Sequence, residues 1–310
     1  MSILLLESLH PEAEALLEAA DDVLRAPDPN GVVGDLSAVR AILTRGRGRI
    51  DEALMQRCGA LRAIARVGAG LDNLDTAAAK RRGVVVIFAP GANTDTVAEH
   101  TLALMLDLVR GITRSANAVA AGRWEERGNY AGNEVRGLLL GIVGFGHIGQ
   151  RTAELASAFG MGIAVAEHPG RAPIPPGYAS LPLDRLLAQA DVVSLHMPLN
   201  SATRACIGAR ELASMKPTAW LINTARGALI DQSALRDAIA GSRIAGFAAD
   251  VLDPEPPVPG DPLLESDRVL ITPHVASLTA VTYRAMCLQT AASVLAVLRG
   301  AIPAARSVFS

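Results

Sequence analysis

The chain has 310 residues, half of them hydrophobic and only 3% aromatic, with 29 Lys and Arg against 31 Asp and Glu. A formal charge of −2 lacks the basic footprint that nucleic acid requires, and half-apolar content with 19% charged residues excludes a disordered chain. The length predicts one large or two ordinary domains, cored mainly by Ala, Val, Leu and Ile.

The apolar start at Ile3 to Leu6 meets Glu7 at once, too short for a signal-peptide core. Other apolar stretches fall short of the ~18 residues of a membrane helix. Cys58, Cys206 and Cys287 are widely spaced and form neither a disulfide framework nor a zinc pattern. The expectation is a cytoplasmic protein of two domains, with no membrane or nucleic-acid partner and no metal.

In chain order, apolar runs predict strands at Ile3–Leu6, Ala41–Thr44, Leu61–Arg66 and Val84–Ile87. Pro11–Ala20, Asp51–Arg57 and Leu74–Arg81 between them predict helices. From Thr94 to Ala121 a helix is predicted with almost no polar face, which must be buried on several sides. It reads either as a central core helix or as an interdomain helix that also packs on a second subunit. The second is favoured, because a boundary helix has fewer neighbours in its own chain. A second series of strands follows at Leu138–Val143, Ile163–Ala166, Val192–Leu195, Ala219–Ile222, Ile244–Ala248 and Val269–Ile271. Such alternation is the pattern of α/β architecture. A last helix, Thr279–Leu298, returns the chain to the first domain and makes that domain discontinuous.

The strand at Leu138–Val143 runs into Gly144-x-Gly146-x-x-Gly149, and Gln150–Phe159 has helical periodicity, which is the context a dinucleotide fingerprint needs. Gly144 permits the tight turn, Gly146 lets backbone approach a pyrophosphate, and Gly149 lets helix and strand pack closely. The amides of His147 and Ile148 then face the phosphates. Glu167 stands 18 positions after Gly149, where an acid accepts the ribose hydroxyls and repels a 2′-phosphate, favouring NAD over NADP. A solvated strand-end charge is the bland alternative, and His168 and Arg171 soften the discrimination.

Three more strand ends carry unusual polar residues: Arg226 after Ile222-Asn-Thr-Ala, Glu255 in a stretch with five prolines between 254 and 262, and His274 after Ile271-Thr-Pro. Singly, each reads more simply as a turn cap, a solvated acid or a core histidine. Together, and after a complete fingerprint, they read as an active site at the carboxyl edge of a parallel sheet. A histidine oriented by a carboxylate suits proton transfer during hydride transfer, and an arginine recognises a carboxylate and polarises a carbonyl.

From Ala41 to Met286 the sequence resembles the D-isomer-specific 2-hydroxyacid dehydrogenases, near the phosphoglycerate dehydrogenase and glyoxylate/hydroxypyruvate reductase branches. The resemblance rests on Arg66–Asp75, Pro90–His100, the fingerprint at 141–149, Leu195–Leu199 with Thr203, Asn223–Gly227, Asp250–Pro256 and Pro273-His274. It implies two α/β domains with a cleft between them: a Rossmann-type doubly wound sheet for NAD and a flavodoxin-like substrate domain. The implied boundaries are 1–96 with 287–310 for the substrate domain and 97–286 for the NAD domain, usually in a homodimer.

By the same resemblance Arg226 binds the substrate carboxylate, His274 is the acid/base and Glu255 its partner. Val67, Gly68, Ala69 and Gly70 form a backbone cradle for the substrate, while Thr96, Met197, Thr224, Ala225 and Asp250 lie near the cofactor. Arg45, Arg49 and Arg66 add positive charge at the substrate mouth, suiting an anionic 2-hydroxy or 2-keto acid. Alternatively Arg45–Arg49 is a solvated turn and Arg66 packs at a strand end. Glu167 in place of aspartate, His147 in place of arginine and Ser277 in place of glycine depart from the family pattern. Glu255 disfavours formate, whose dehydrogenases carry glutamine there. No regulatory extension is expected after Ser310. An NAD(H)-sensing corepressor on the same fold is the alternative function, disfavoured by retention of all three catalytic residues.

Overall fold

Strands with apolar side chains on both faces can be buried on both sides only if helices cover each face. The computed structural model describes residues 2–168, 174–303 and 308–309, and the central strands of its sheets are of this kind. The chain divides into two compact units, Met1–Asn93 with Ser277–Ser310, and Thr94–Ala276.

The first unit starts with β1 (Ser2–Leu5), α1 (Pro11–Glu18), β2 (Asp22–Arg25), β3 (Val39–Thr44), α2 (Glu52–Arg57), β4 (Ala63–Arg66), α3 (Thr76–Arg81) and β5 (Val85–Ile87). Asp51 and Asp75 cap α2 and α3 through the Leu54 and Ala78 amides, as short acids at helix N-termini do.

The second unit holds α4 (Thr94–Arg110), α5 (Ile112–Ala120), a 3-10 turn at Trp124–Asn129, β6 (Leu139–Val143), α6 (His147–Ala158), β7 (Gly162–Ala166) and β8 (Ala179–Leu181). It continues through α7 (Leu183–Gln189), β9 (Val192–Leu195), α8 (Ala209–Ser214), β10 (Trp220–Asn223), α9 (Gln232–Ala240), β11 (Gly246–Ala249), α10 (Pro262–Glu265) and β12 (Val269–Ile271). The chain then returns to the first unit with α11 (Ala280–Leu298) and β13 (Val308–Phe309).

Among the described residues, the first sheet has strand order β13-β5-β4-β3-β1-β2, parallel except for the antiparallel β13. Without β13 this is the 2-1-3-4-5 order of the flavodoxin-like fold. Ile3 and Leu5 face α1 and α11 while Leu4 and Leu6 face α2 and α3, so alternate residues of one strand fill two cores. The second sheet is parallel throughout, with order β12-β11-β10-β9-β6-β7-β8. Its strand order reverses between β6 and β9, where an open α/β sheet binds its ligand. Leu140 and Ile142 pack toward α4 and α6, and Val143 toward the α7–α9 side.

Three expectations change. The unit boundaries fall at Asn93/Thr94 and Ala276/Ser277 rather than at 96/97 and 286/287, because the whole of α11 packs in the first unit. The single helix expected from Thr94 to Ala121 is two, separated by Gly111 at φ +60°. Glycine takes that left-handed conformation at no steric cost, and Asp107 secures the break by accepting from the Thr113 amide at 2.7 Å. Lastly, α11 is long and apolar enough to cross a membrane, although the apolar runs had been expected to fall short. Met286, Cys287, Ala291, Val294 and Leu298 are buried against the first sheet, which makes it a core helix.

Candidate active site

At the reversal point β6 leads into Gly144 at φ +102°, and α6 begins at His147 with Gly146 as its N-cap. A Cβ on Gly144 would stand 2.6 Å from the carbonyl carbon of His196, and one on Gly149 would stand 2.2 Å from the Gly144 oxygen. These two glycines let the loop lie against its own fold. Gly146 differs, since a Cβ there would meet nothing within 4 Å. Its open side faces away from protein, and no side chain caps α6. The first-turn N–H groups, including those of His147 and Ile148, therefore keep their capacity for an anion. This cradle fits the pyrophosphate of a dinucleotide.

Glu167 follows β7 directly and is exposed, with its amide bonded to the Leu181 carbonyl at 2.8 Å. Arg171 lies outside the described residues. Thr96 sits in the first turn of α4, beside Asp95, which pairs with Arg151 of α6 at 2.7 Å.

The polar residues at the ends of β10 to β12 are linked by backbone and side-chain bonds, with the Asp250 amide donating to the Asn223 carbonyl at 3.0 Å and the Thr272 amide to the Ala249 carbonyl at 2.9 Å. Met197 follows β9 and packs on the core beneath it. After β10, the buried Asn223 accepts from the Ala225 amide at 3.0 Å and donates to the Arg226 carbonyl at 2.8 Å, fixing the turn that presents Arg226. Gly227 lets this turn approach the next loop, since a Cβ there would fall 2.0 Å from the Leu252 carbonyl carbon. Thr224 bonds Thr101 of α4 at 2.8 Å. Thr101 donates its own proton to Val97, so Thr224 is the donor of that pair.

Glu255 and His274, nineteen residues apart, meet with Oε2 2.8 Å from Nδ1. The other carboxylate oxygen accepts from the Leu252 amide at 3.0 Å. Burial acts to raise the Glu255 carboxyl, but the hydrogen bond and charge of His274, the Leu252 amide and the charge of Arg226 outweigh it and hold the group below its ordinary value. With an ionised acceptor at Nδ1, the imidazole hydrogen is assigned there, which leaves Nε2 for proton exchange.

His274 itself has φ +56°, a left-handed conformation that costs a non-glycine residue about 1 kcal/mol. It is held by the buried Asp250, whose carboxylate accepts from the amides of Val275 at 2.9 Å and Ala276 at 2.8 Å and from the Thr272 hydroxyl at 2.6 Å.

Two further histidines of this edge stand in motifs quoted for the resemblance, without a role assigned to either. His196 lies 2.8 Å from the Ser194 hydroxyl, and desolvation pushes its pKa down to about 4, so it is neutral near pH 7. His100 reaches Thr272 at 2.9 Å from α4. In the sequence His100 closes the Pro90–His100 motif and is a polar side chain in an apolar helix.

The remaining predicted residues lie in the first unit. Arg66 ends β4 and donates from Nη1 to the Val67 carbonyl at 3.1 Å. Gly68, at φ +135°, lies beneath it, for a Cβ there would stand 1.4 Å from Arg66 Nη1. The Gly68 carbonyl accepts from the Ala89 amide at 2.8 Å. Among the described residues, Ala69 and Gly70 follow without backbone partners for their amides. Arg45 is already engaged: its guanidinium lies 3.5 Å from Glu7 and stacks over Tyr283 at 5.7 Å. Glu7 also accepts from the amides of Arg45, Gly46 and Arg47 at 2.9, 2.8 and 2.7 Å, making this turn an anchored loop, with Arg49 exposed at its end.

Residues 102–276 match the family model described as D-isomer specific 2-hydroxyacid dehydrogenase, NAD binding domain. A D-3-phosphoglycerate dehydrogenase of Archaeoglobus fulgidus is 36% identical over 251 residues, covering 80% of this chain and 47% of that protein. The chain thus spans about half the length of that relative. A glyoxylate reductase of Thermofilum pendens is 36% identical over 279 residues, covering 88% of this chain and 81% of that one. The NADPH-dependent glyoxylate/hydroxypyruvate reductase of Sinorhizobium meliloti, solved with NADP and malonate, superposes with a TM-score of 0.89 at 29% identity, over 99% of this chain and 98% of that one. A fingerprint at the strand-order reversal, a carboxylate–histidine pair on the same sheet edge and relatives matched along most of its length agree: the chain belongs to the D-isomer specific 2-hydroxyacid dehydrogenase family.

Proposed function

We propose that the protein interconverts a small D-2-hydroxy acid and its 2-oxo acid by nicotinamide-linked hydride transfer. The observation that carries this reading is the Glu255–His274 pair beside Arg226, on the edge of the sheet whose first loop is the dinucleotide cradle. A bound nicotinamide dinucleotide supplies the carbon that gives or takes hydride. The protein does the rest. In the reductive direction His274 Nε2 delivers a proton to the substrate oxygen as hydride reaches the adjacent carbon, and in the oxidative direction it removes that proton. Glu255 keeps the Nδ1 hydrogen engaged, so that one tautomer faces the substrate throughout. Arg226 offers a planar pair of donors to the substrate carboxylate and draws charge onto the carbonyl oxygen as it develops.

The exposed carboxylate of Glu167 supports NAD(H) over NADP(H), since a 2′-phosphate at that strand end meets a like charge. Glyoxylate, hydroxypyruvate and 3-phosphohydroxypyruvate are the substrates this reading favours, in keeping with the names of the relatives. The protein is a homodimer in this reading, because α5 and the 3-10 turn after it leave Ile112, Val119, Trp124 and Tyr130 exposed for a second copy to cover. The deciding experiment is NADH and NADPH oxidation with these three acids, pyruvate and phenylpyruvate. Turnover with at least one 2-oxo acid is expected, faster with NADH. Tight NADH binding without turnover of any would overturn the enzyme reading in favour of a nucleotide-sensing protein.

A further inference from the structure

We propose that His100 is a positioning residue for His274, acting from helix α4 through Thr272 and Asp250; this rests on the dehydrogenase reading above. The reacting histidine sits in a left-handed turn, a conformation that persists only where its surroundings enforce it. The enforcing groups are visible on both sides. Upstream, the Thr272 amide donates to the Ala249 carbonyl at 2.9 Å and the His274 amide to the Thr272 carbonyl at 3.0 Å. Downstream, Val275 and Ala276 donate to the two oxygens of Asp250. Asp250 is thus the clamp on the turn, and its own orientation decides where the imidazole points.

The hydrogens of this network reach back to His100. The Thr272 hydroxyl has a single hydrogen and lies 2.6 Å from Asp250 Oδ1, which as a carboxylate can only accept. Toward His100 Nε2, at 2.9 Å, the same hydroxyl must therefore accept, and His100 must carry a hydrogen on Nε2. That N–H also lies 3.6 Å from Asp250 Oδ1. His100 fixes the direction of the threonine hydroxyl, and the hydroxyl in turn fixes the carboxylate.

The placement on α4 is selective. Val97 and Leu104, one turn to either side on the same helix face, are buried aliphatics, so packing alone would put another at position 100. Thr101, the next residue, makes the corresponding bond to Thr224 at the end of β10. Successive polar side chains of a single helix thus reach the carboxyl ends of β12 and β10, the strands on either side of β11, which carries Asp250 at its end.

The test compares His100→Leu, which fills the space without a donor, with His100→Gln, whose side-chain amide can return an N–H near the Nε2 position. For His100→Leu, kcat with NADH and the best 2-oxo acid is expected to fall about tenfold, with the KM for NADH within about twofold of the parent. Deuterium uptake of the segment 272–277 is expected to rise about tenfold, because the Val275 and Ala276 amides lose protection. His100→Gln is expected to recover both readouts to within about threefold of the parent. Normal kcat in His100→Leu, unchanged uptake across 272–277, or equal loss in both variants would each overturn the proposal. The exchange measurement needs no turnover. A parent inactive on every 2-oxo acid therefore ends the dehydrogenase reading, and unchanged exchange in His100→Leu ends the positioning role.

Discussion

Removing the imidazole of His274 leaves every backbone bond of its turn in place, so His274→Ala should cost turnover and little else. A loss of about 10²- to 10⁴-fold in kcat is expected, with the NADH dissociation constant unchanged by fluorescence titration. Glu255→Gln bears on pH as well as rate. The wild-type carboxyl is held below its ordinary value of 4.5, so its contribution to stability is fully present above that value and disappears as pH falls through the lower, folded-state value. The melting temperature of wild type should therefore exceed that of Glu255→Gln at pH 6, and the gap should close on acidification below about 4.5. A gap independent of pH would show that ionisation of Glu255 plays no part. Arg226 and His274 were singled out in the sequence because each closely follows a recognisable strand, and Glu255 because it stands in the proline-rich stretch after another. His196 and His100 stand in quoted motifs but drew no assignment, because their partners Ser194 and Thr272 are evident only once the strands and α4 are assembled.

The loop between β6 and α6 separates two kinds of glycine that a sequence pattern treats alike. Gly149→Ala should lower stability by about 1–3 kcal/mol, because its Cβ would meet the Gly144 carbonyl 2.2 Å away with no flexible atom to yield. Gly146→Ala should leave the melting temperature unchanged and weaken NADH about tenfold, because the added methyl projects into the open side where phosphate approaches. Calorimetry and NADH titration of the pair check this, and a melting temperature lowered equally in both would contradict it. Long parallel strands and their crossover helices were readable from apolar runs. The short edge strands β2, β8 and β13 were not: β2 reads Asp-Val-Leu-Arg with only Val23 half-buried, so composition gives it no strand signature. The break at Gly111 was equally hidden, since one glycine in an apolar helix does not announce which φ it will take.

At the scale of the whole chain, the interruption of the first unit by the second was foreseen from a single apolar helix near the end, while its crossing points shifted once all of α11 was seen to pack in the first unit. The large apolar side chains on α5 and the turn after it carry a prediction about assembly. Trp124→Glu should convert a particle of twice 32.2 kDa into one of that mass by light scattering, with helix content retained. The same mass in both proteins would contradict pairing through this surface.

The late return of α11 has a consequence for synthesis. Ile3, Leu5, Ala41, Leu43, Ala63, Ala65 and Ile87 form one face of the first sheet, and α11 is a principal cover of that face. A chain leaving the ribosome exposes this face until all of Thr94–Ala276 has emerged, so the unit begun first is completed last. Removing Ser277–Ser310 should leave NADH binding to the second unit intact. The same truncation should abolish the cooperative melting of the first unit and create binding sites for an apolar dye. In a growing cell, the nascent protein is most exposed to aggregation during that interval, and a chaperone would find its apolar target on strands made hundreds of residues earlier.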